Sequence, residues 1–350
     1  MSGTPERPRR LRRLVVPAGL LLAAAAVGRS LLRRRPAVEP VAADLRTPVL
    51  YLPMSMRSEK VLRVIRSLPA PVPPTPPEVE VGSRTIATDA GTQLRMVTYE
   101  RADRPKPTAA LLWIHGGGMV MGVPEQGHPV CGRWADELGI FIASVDYRLA
   151  PEHPFPAGLD DCYAALRWLA DEADGLGIDP ERIAVGGDSA GGGLAAALSQ
   201  MARDKGGPAI RFQLLEYPML DDRSVLRTDH AGRGAFVWTP ASNRFAWTAY
   251  LGRPPMDADA PRYAAPARTE DLAGLPPAWV GVGDLDLFHE EDVDYAERLR
   301  AAGVPCDLYV EPGMYHGADA IRAGAPTARR FRNQMTAALA AGLELDLPLA

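Results

Sequence analysis

The feature that most constrains the fold of this chain is a regular alternation of short apolar runs with amphipathic stretches between residues 109 and 341. Since parallel strands need crossover helices to connect them, such alternation is typical of an α/β fold, with a mostly parallel sheet and helices on both of its faces. The predicted strands are 109–114, 140–145, 183–186, 212–217, 278–283 and 307–311, and the predicted helices are 160–172, 190–203, 291–302 and 327–341.

Two segments interrupt or precede this pattern and predict a cap over the sheet. Residues 36–78 comprise a predicted helical region, 40–68, and a proline-rich linker, 69–78, in which repeated proline forbids both helix and central strand. Residues 221–276 are too long for a simple connection and are rich in aromatic residues, so we expect them to form a cap insertion. The catalytic domain is then 79–350, opening with a hairpin at 79–101 that turns at Asp89-Ala90-Gly91.

Residues 1–35 form a basic and apolar N-terminal arm. Nine arginines and one glutamate give the arm a net charge of +8. Since the whole chain has a net charge of −4, the rest of it carries −12. The apolar run 14–28 is shorter than the roughly 20 residues that span a bilayer, and arginines follow it. A loose arm, a membrane anchor and an export signal remain open. We expect a cytoplasmic protein, with peripheral membrane contact through residues 1–35 as the alternative.

The composition excludes several classes of partner and cofactor. An acidic body without a basic stripe is unsuited to neutralising phosphates, which argues against nucleic acid. Cys131, Cys162 and Cys306 are widely spaced and have no partner histidine at metal-ligand spacing, so neither a disulfide framework nor a zinc site is indicated. We therefore expect no metal or organic cofactor.

The first chemical motif is Gly187-Asp188-Ser189-Ala190-Gly191, which fits the G-x-S-x-G pattern. It lies between a predicted strand and a predicted helix, the context of a nucleophile elbow, where a strained turn lifts a serine above the sheet. The N-terminus of the following helix points at the same place and favours developing negative charge. Ser189 is accordingly the predicted nucleophile.

A glycine loop, His115-Gly116-Gly117-Gly118, follows the first strand of the parallel region. At the C-terminal edge of a sheet such a loop can direct backbone N–H groups at an oxyanion, which predicts an oxyanion hole at Gly116 and Gly117. His115 itself is expected to shape the loop.

With a nucleophile elbow of this type, the triad residues follow in the chain order serine, acid, histidine. Only His230, His289 and His316 follow Ser189. His230 lies in the cap insertion with no acid before it at a strand end. His289 is only three residues beyond the nearest candidate acid. His316 lies in a loop directly after the last predicted strand, so it is the predicted base.

The acid must also lie in a loop at a strand end. Asp284 and Asp286 both follow the predicted strand 278–283. We favour Asp286, because the second of the two aspartates has more room to turn towards the histidine, and expect Asp284 to stabilise the turn.

Together these motifs resemble the hormone-sensitive-lipase family of α/β-hydrolases, in its bacterial esterase branch. The resemblance extends over about residues 80–340 and implies oxyanion donors at Gly116, Gly117 and Ala190, the acid at Asp286, and a cap made of N-terminal helices and an insertion. Met119 and Ala318 depart from the aromatic residues usual in the family. The motifs are HGGG at 115–118, YRLAPEHPFPA at 147–157, GDSAG at 187–191, YPMLDD at 217–222, DLDLFHEED at 284–292 and PGMYHG at 312–317.

The predicted function is hydrolysis of carboxylic esters with short- to medium-chain acyl groups, through a covalent acyl-enzyme. We expect Met119, Trp238 and Trp247 to belong to the substrate pocket and its cap. An amidase or arylformamidase with the same triad, and a non-catalytic small-molecule receptor on the same fold, are the alternatives. The expected partner is a small-molecule ester, and a homodimer is the assembly that we consider.

Overall fold

A single eight-stranded sheet organises the molecule. The computed structural model describes residues 33–68, 73–89, 91–256 and 258–346. The strand order across the sheet is β1-β2-β4-β3-β5-β6-β7-β8. The strands are β1 Val79–Ala87, β2 Gln93–Arg101, β3 Thr108–Ile114, β4 Phe141–Val145, β5 Ile178–Asp188, β6 Phe212–Glu216, β7 Ala278–Gly283 and β8 Cys306–Glu311.

The sheet is antiparallel at one edge and parallel elsewhere. β1 pairs with β2 in the register Val79 to Arg101, and β2 pairs antiparallel with β4. Every pairing from β4 through β3, β5, β6 and β7 to β8 is parallel. The predicted α/β-hydrolase class, with a mostly parallel sheet, is confirmed, and the hairpin at 79–101 is present.

Helices cover both faces of the sheet, and the core is divided accordingly. The central strand β3 is buried along its whole length and sends alternate side chains to opposite faces. The helices are α1 Glu59–Ser67, α2 His128–Leu138, α3 Ala157–Asp171, α4 Ala173–Leu176, α5 Ala190–Lys205, α6 Pro240–Leu251, α7 His289–Ala301, α8 Ala318–Ile321 and α9 Pro326–Gly342. Side chains of α3, α5 and α7 fill the core on one face, and those of α2 and α9 fill it on the other.

Helix α2 is the main element that the sequence pattern missed. Its segment contains Pro129 and Gly132, which lower helix propensity. Pro129 is tolerated because it lies in the first turn, where its missing N–H has no helical partner. Trp134 then anchors the helix in the core, with its indole N–H donating to Thr336 Oγ1 at 3.0 Å. Tertiary burial therefore outweighs local propensity here.

The two cap segments are less regular than expected. In the predicted helical region 40–68, only α1 is an α-helix, and Ala43–Leu45 and Pro48–Tyr51 are single 3₁₀ turns. In the cap insertion 221–276, α6 is accompanied by 3₁₀ turns at Asp222–Leu226 and Pro266–Arg268.

The arm, 1–35, lies outside the described residues except for its last three, which belong to a helical stretch over 33–38. Within the described ranges, no helix is long and apolar enough to cross a membrane.

Candidate active site

The turn between β5 and α5 holds Ser189 in a strained conformation. The backbone of Ser189 has φ 55° and ψ −117°, a combination that L-residues rarely adopt. Gly191 is required for this turn, because a Cβ there would lie 1.9 Å from the carbonyl oxygen of Ile114 on β3. The close packing of α5 on the sheet lifts Ser189 to the C-terminal edge, where its side chain is 4 % exposed as part of a largely buried site.

The structure brings together the three predicted triad residues. His316 Nε2 lies 2.9 Å from Ser189 Oγ, and His316 Nδ1 lies 2.8 Å from Asp286 Oδ2. Asp286 is completely buried, and its other oxygen accepts the backbone N–H of Phe288 at 3.0 Å. Because the carboxylate can only accept, Nδ1 carries the proton and Nε2 faces the serine as an acceptor.

Asp284 has a different place from Asp286. Its Oδ1 accepts the backbone N–H of Gly313 at 2.6 Å, which ties the loop after β7 to the loop that carries His316. Asp284 thus stabilises the turn that positions His316, and it does not contact the histidine ring through any hydrogen bond found in the described residues.

Aromatic rings that sequence reasoning did not identify enclose His316. Tyr217 and Phe288 both meet the imidazole edge-on, with ring centroids 4.8 and 5.2 Å away. Tyr217 follows β6 with φ 34°, and its hydroxyl donates to Asp319 Oδ1 at 3.0 Å. Its place at the end of a parallel strand, in the YPMLDD motif, was the signal available in the sequence.

In the glycine loop, the structure differs from the prediction for one of the oxyanion donors. The N–H of Gly116 donates to Asp188 Oδ1 at 3.0 Å, so this donor is already occupied and the prediction for Gly116 is wrong. Gly117 has φ 113°, and a Cβ there would lie 2.0 Å from Met121 O, so only glycine fits. Among the described residues, no acceptor is hydrogen-bonded to the N–H groups of Gly117 or Ala190.

Two buried ionisable groups beside the glycine loop have shifted pKa values. Burial raises the pKa of the Asp188 carboxyl to about 6, against the lowering effect of the Gly116 N–H. Burial lowers the pKa of His115 to about 4. The neutral imidazole donates from Nδ1 to the Gly116 carbonyl at 2.8 Å and stacks on Tyr147, which fits the loop-shaping role expected for it.

A cavity of about 410 Å³ opens onto Ser189. Of the three residues predicted for the pocket and its cap, Trp247 belongs only to the cap and Met119 to neither. Trp238 lines this cavity as predicted, but Met119 and Trp247 do not belong to its described lining. Met119, with φ 61°, turns its side chain towards Gly193 on α5 and is buried in the core. Trp247 lies on the inward face of α6 and is completely buried. Both side chains are therefore packing residues.

Acidic side chains line the inner part of the cavity, near the nucleophile. Asp188, Glu216 and Asp319 all belong to its lining, together with Arg332. Burial, and then the neighbouring Asp319, raises the pKa of Glu216 well above its ordinary value. Across the described part of the chain, no group of three or more His, Cys, Asp or Glu side chains is arranged to hold a metal ion.

Comparisons with known proteins agree with this geometry. A family model described as an alpha/beta hydrolase fold matches residues 111–320. Carboxylesterase NlhH of Mycobacterium tuberculosis is 40 % identical over 261 residues, which cover 72 % of this chain and 79 % of that protein. Esterase LipI of Mycobacterium tuberculosis is 36 % identical over 313 residues, 87 % of this chain and 95 % of that protein.

A solved structure extends the similarity to three dimensions. A bacterial heroin esterase superposes with a TM-score of 0.77 at 35 % identity and covers 87 % of this chain and 98 % of its own. The chain therefore belongs to the hormone-sensitive-lipase family of α/β-hydrolases, in its bacterial esterase branch, and is a serine hydrolase that acts on carboxylic esters.

Proposed function

We propose that the protein hydrolyses carboxylic esters with short- to medium-chain acyl groups, with Ser189 as nucleophile, His316 as general base and Asp286 as the residue that orients the base. The observation that carries this proposal is the unbroken pair of hydrogen bonds from Ser189 Oγ to His316 Nε2 and from His316 Nδ1 to Asp286 Oδ2, at 2.9 and 2.8 Å. A hydroxyl in contact with an oriented neutral imidazole is the arrangement that nucleophilic acyl transfer requires.

In the first step, Ser189 Oγ attacks the ester carbonyl carbon while His316 Nε2 takes the hydroxyl proton. The carbonyl oxygen becomes an oxyanion, and the N–H groups of Gly117 and Ala190 are the donors that we assign to it. Asp286 stabilises the imidazolium as it forms. His316 then gives its proton to the alkoxide, the C–O bond breaks, and the alcohol leaves an acyl group on Ser189.

In the second step, a water molecule replaces the alcohol. His316 takes a proton from this water as the water attacks the acyl-enzyme, and the same two N–H groups bind the second oxyanion. Collapse of that intermediate returns the proton to Ser189 Oγ and releases the carboxylic acid. Aromatic rings on two sides of His316 restrict solvent around the imidazole during both steps.

The size of the cavity supports the acyl range. Its volume of about 410 Å³ is near the lower end of the roughly 300–1,000 Å³ common for small-molecule pockets. Each buried methylene contributes about 0.8 kcal/mol, so kcat/KM should rise with acyl length until the cavity is full. We expect the best substrates to carry about four to eight acyl carbons, because longer chains must bend back or remain in water.

A nitrophenyl ester series from acetate to palmitate, assayed with purified full-length protein, tests the range. A maximum at palmitate, or strong activation at an oil–water interface, would contradict it. A matched nitroanilide of the best acyl group tests the reaction class, since an amidase would cleave the anilide comparably to the ester. Ser189→Ala, run in parallel, shows that the measured hydrolysis comes from this site.

A further inference from the structure

Helix α1 of the cap turns an apolar stripe outwards. Val61, Val64 and Ile65 are spaced i, i+3 and i+4, which places them on one side of the helix, and Leu68 follows as the C-cap residue. Their exposed fractions are 37, 60, 36 and 63 %, whereas the apolar face of a surface helix normally packs on the core. No residue in the described part of the chain covers the stripe.

Contacts on the inner side of α1 fix this orientation. Leu62 is buried in the core beneath the helix. Arg66 donates to the carbonyls of Val120 and Ala150, each at 2.8 Å, and pairs with Glu152 at 2.8 Å. Turning the stripe inwards would break all of these contacts, so its exposure follows from how the helix is anchored.

Positive charge borders the stripe. Arg57, Lys60 and Arg63 are exposed, and no ion pair within the described ranges involves any of them. Glu59 is the only acid in 57–68, and Lys60 precedes Val64 by one helical turn. The sequence of the arm adds a net charge of +8 and the apolar run 14–28 shortly before this helix.

We propose that α1 docks the cap on an anionic lipid surface, with the stripe entering the headgroup region and the three cations contacting lipid phosphates. A helix with apolar residues on one side and unpaired basic residues at its border is the pattern of interfacial helices.

The same charges disfavour a second copy of the chain as the occupant. A two-fold contact would place this surface against itself and bring Arg57, Lys60 and Arg63 towards the same residues of the other copy. Like charges facing each other in an interface oppose association, whereas anionic lipid compensates them. Docking would also bring lipid to the outer side of the loop that carries Gly117, because Arg66 holds α1 to Val120 in that loop.

Vesicle co-sedimentation of the full-length protein tests the proposal, with phosphatidylcholine vesicles that contain or lack phosphatidylglycerol. We expect binding to the anionic vesicles that weakens as salt screens the charges. The double variant Val64→Gln/Leu68→Gln should bind roughly tenfold more weakly. Lys60→Gln/Arg63→Gln should lose a similar factor and show a weaker salt dependence than the wild type, although Arg57 and the arginines of residues 1–35 keep their charge. Glutamine keeps helix propensity.

The matched control is Val81→Gln on β1, a position that is 45 % exposed and belongs to the sheet, outside helix α1. This variant should bind as the wild type does, and all variants should hydrolyse a soluble nitrophenyl ester normally, which shows that they fold. Absence of wild-type binding to anionic vesicles would overturn the proposal. Equal binding by the stripe variant would overturn it too, as would a dimer that the stripe substitutions dissociate without any effect on vesicles.

Discussion

The sheet edge and the cap differ in how firmly their side chains are held. At the sheet edge, Ser189, Asp286 and His316 follow β5, β7 and β8, and hydrogen bonds from side chains and backbone fix each of them. In the cap, short 3₁₀ turns accompany helices α1 and α6, and α1 leaves apolar side chains in solvent. The difference teaches that the sheet fixes the catalytic geometry, while the cap is free to vary in the surfaces and molecules that it contacts. The variants below test that separation.

The largest expected effect is at the nucleophile. Ser189→Ala should reduce kcat by roughly 10⁶-fold, because the other triad members have no nucleophile to activate. The protein should remain folded, since alanine removes only an oxygen from a turn whose shape depends on Gly191. Circular dichroism with an ester assay measures both, and a fall below tenfold would place the nucleophile elsewhere.

The two aspartates after β7 provide a matched pair. Asp286→Asn should reduce kcat by about 10⁴-fold, because an amide facing His316 Nδ1 favours the wrong tautomer. Asp284→Asn keeps an oxygen for the Gly313 N–H and should cost far less. Parallel ester kinetics decide the matter: if Asp284→Asn is the more damaging variant, the assignment of Asp286 is wrong.

A smaller effect should appear in the pH dependence of stability. With its pKa raised to about 6, Asp188 holds a proton in the folded state over a range where the unfolded chain has released it. Its contribution is therefore present below about pH 4 and is lost as the pH rises through about 6, a change of about 3 kcal/mol for a shift of about two pKa units.

Asp188→Asn should remove this component while retaining an oxygen for the Gly116 N–H. Urea unfolding of both proteins between pH 4 and 7 measures the difference in free energy of unfolding. Buried His115, whose pKa is lowered to about 4, makes stability rise with pH over part of that range, but it is common to both proteins. Parallel pH profiles for the two proteins would show that Asp188 titrates normally.

The smallest expected effect is at the N-terminus. Deleting residues 2–32 should change kcat/KM on soluble esters by less than about twofold, because residues outside this segment supply every contact of the triad that the structure describes. Arg34 is retained, and its guanidinium donates to the carbonyls of Leu52 and Ala235, joining the two cap segments. Arg34→Ala should therefore affect kcat/KM more than the whole deletion does. The reverse order would mean that the arm supports the cap.

Sequence reasoning predicted which side chains lie together where chemistry and backbone geometry are coupled. A nucleophile elbow needs glycine at Gly191 and a strand-to-helix context, and chain order with strand ends leaves His316 and Asp286. It failed where tertiary contacts decide. The occupation of the Gly116 N–H depends on the side-chain direction of Asp188, and the burial of Met119 and Trp247 depends on how α5 and α6 pack. None of these is encoded in a local pattern.

The bond between Gly116 and Asp188 has a consequence for tolerance to change. Asp188 directly precedes the nucleophile, and Gly116 directly precedes the assigned donor Gly117. One hydrogen bond therefore links the loop of the nucleophile to the loop of the oxyanion donor. We expect a displacement of the elbow, caused by a substitution in α5 or by thermal motion, to move the donor loop in the same direction through this hydrogen bond. The distance between them then varies less than the position of either. Substitutions elsewhere in the sequence can then accumulate without changing the distance between the nucleophile and the oxyanion donor.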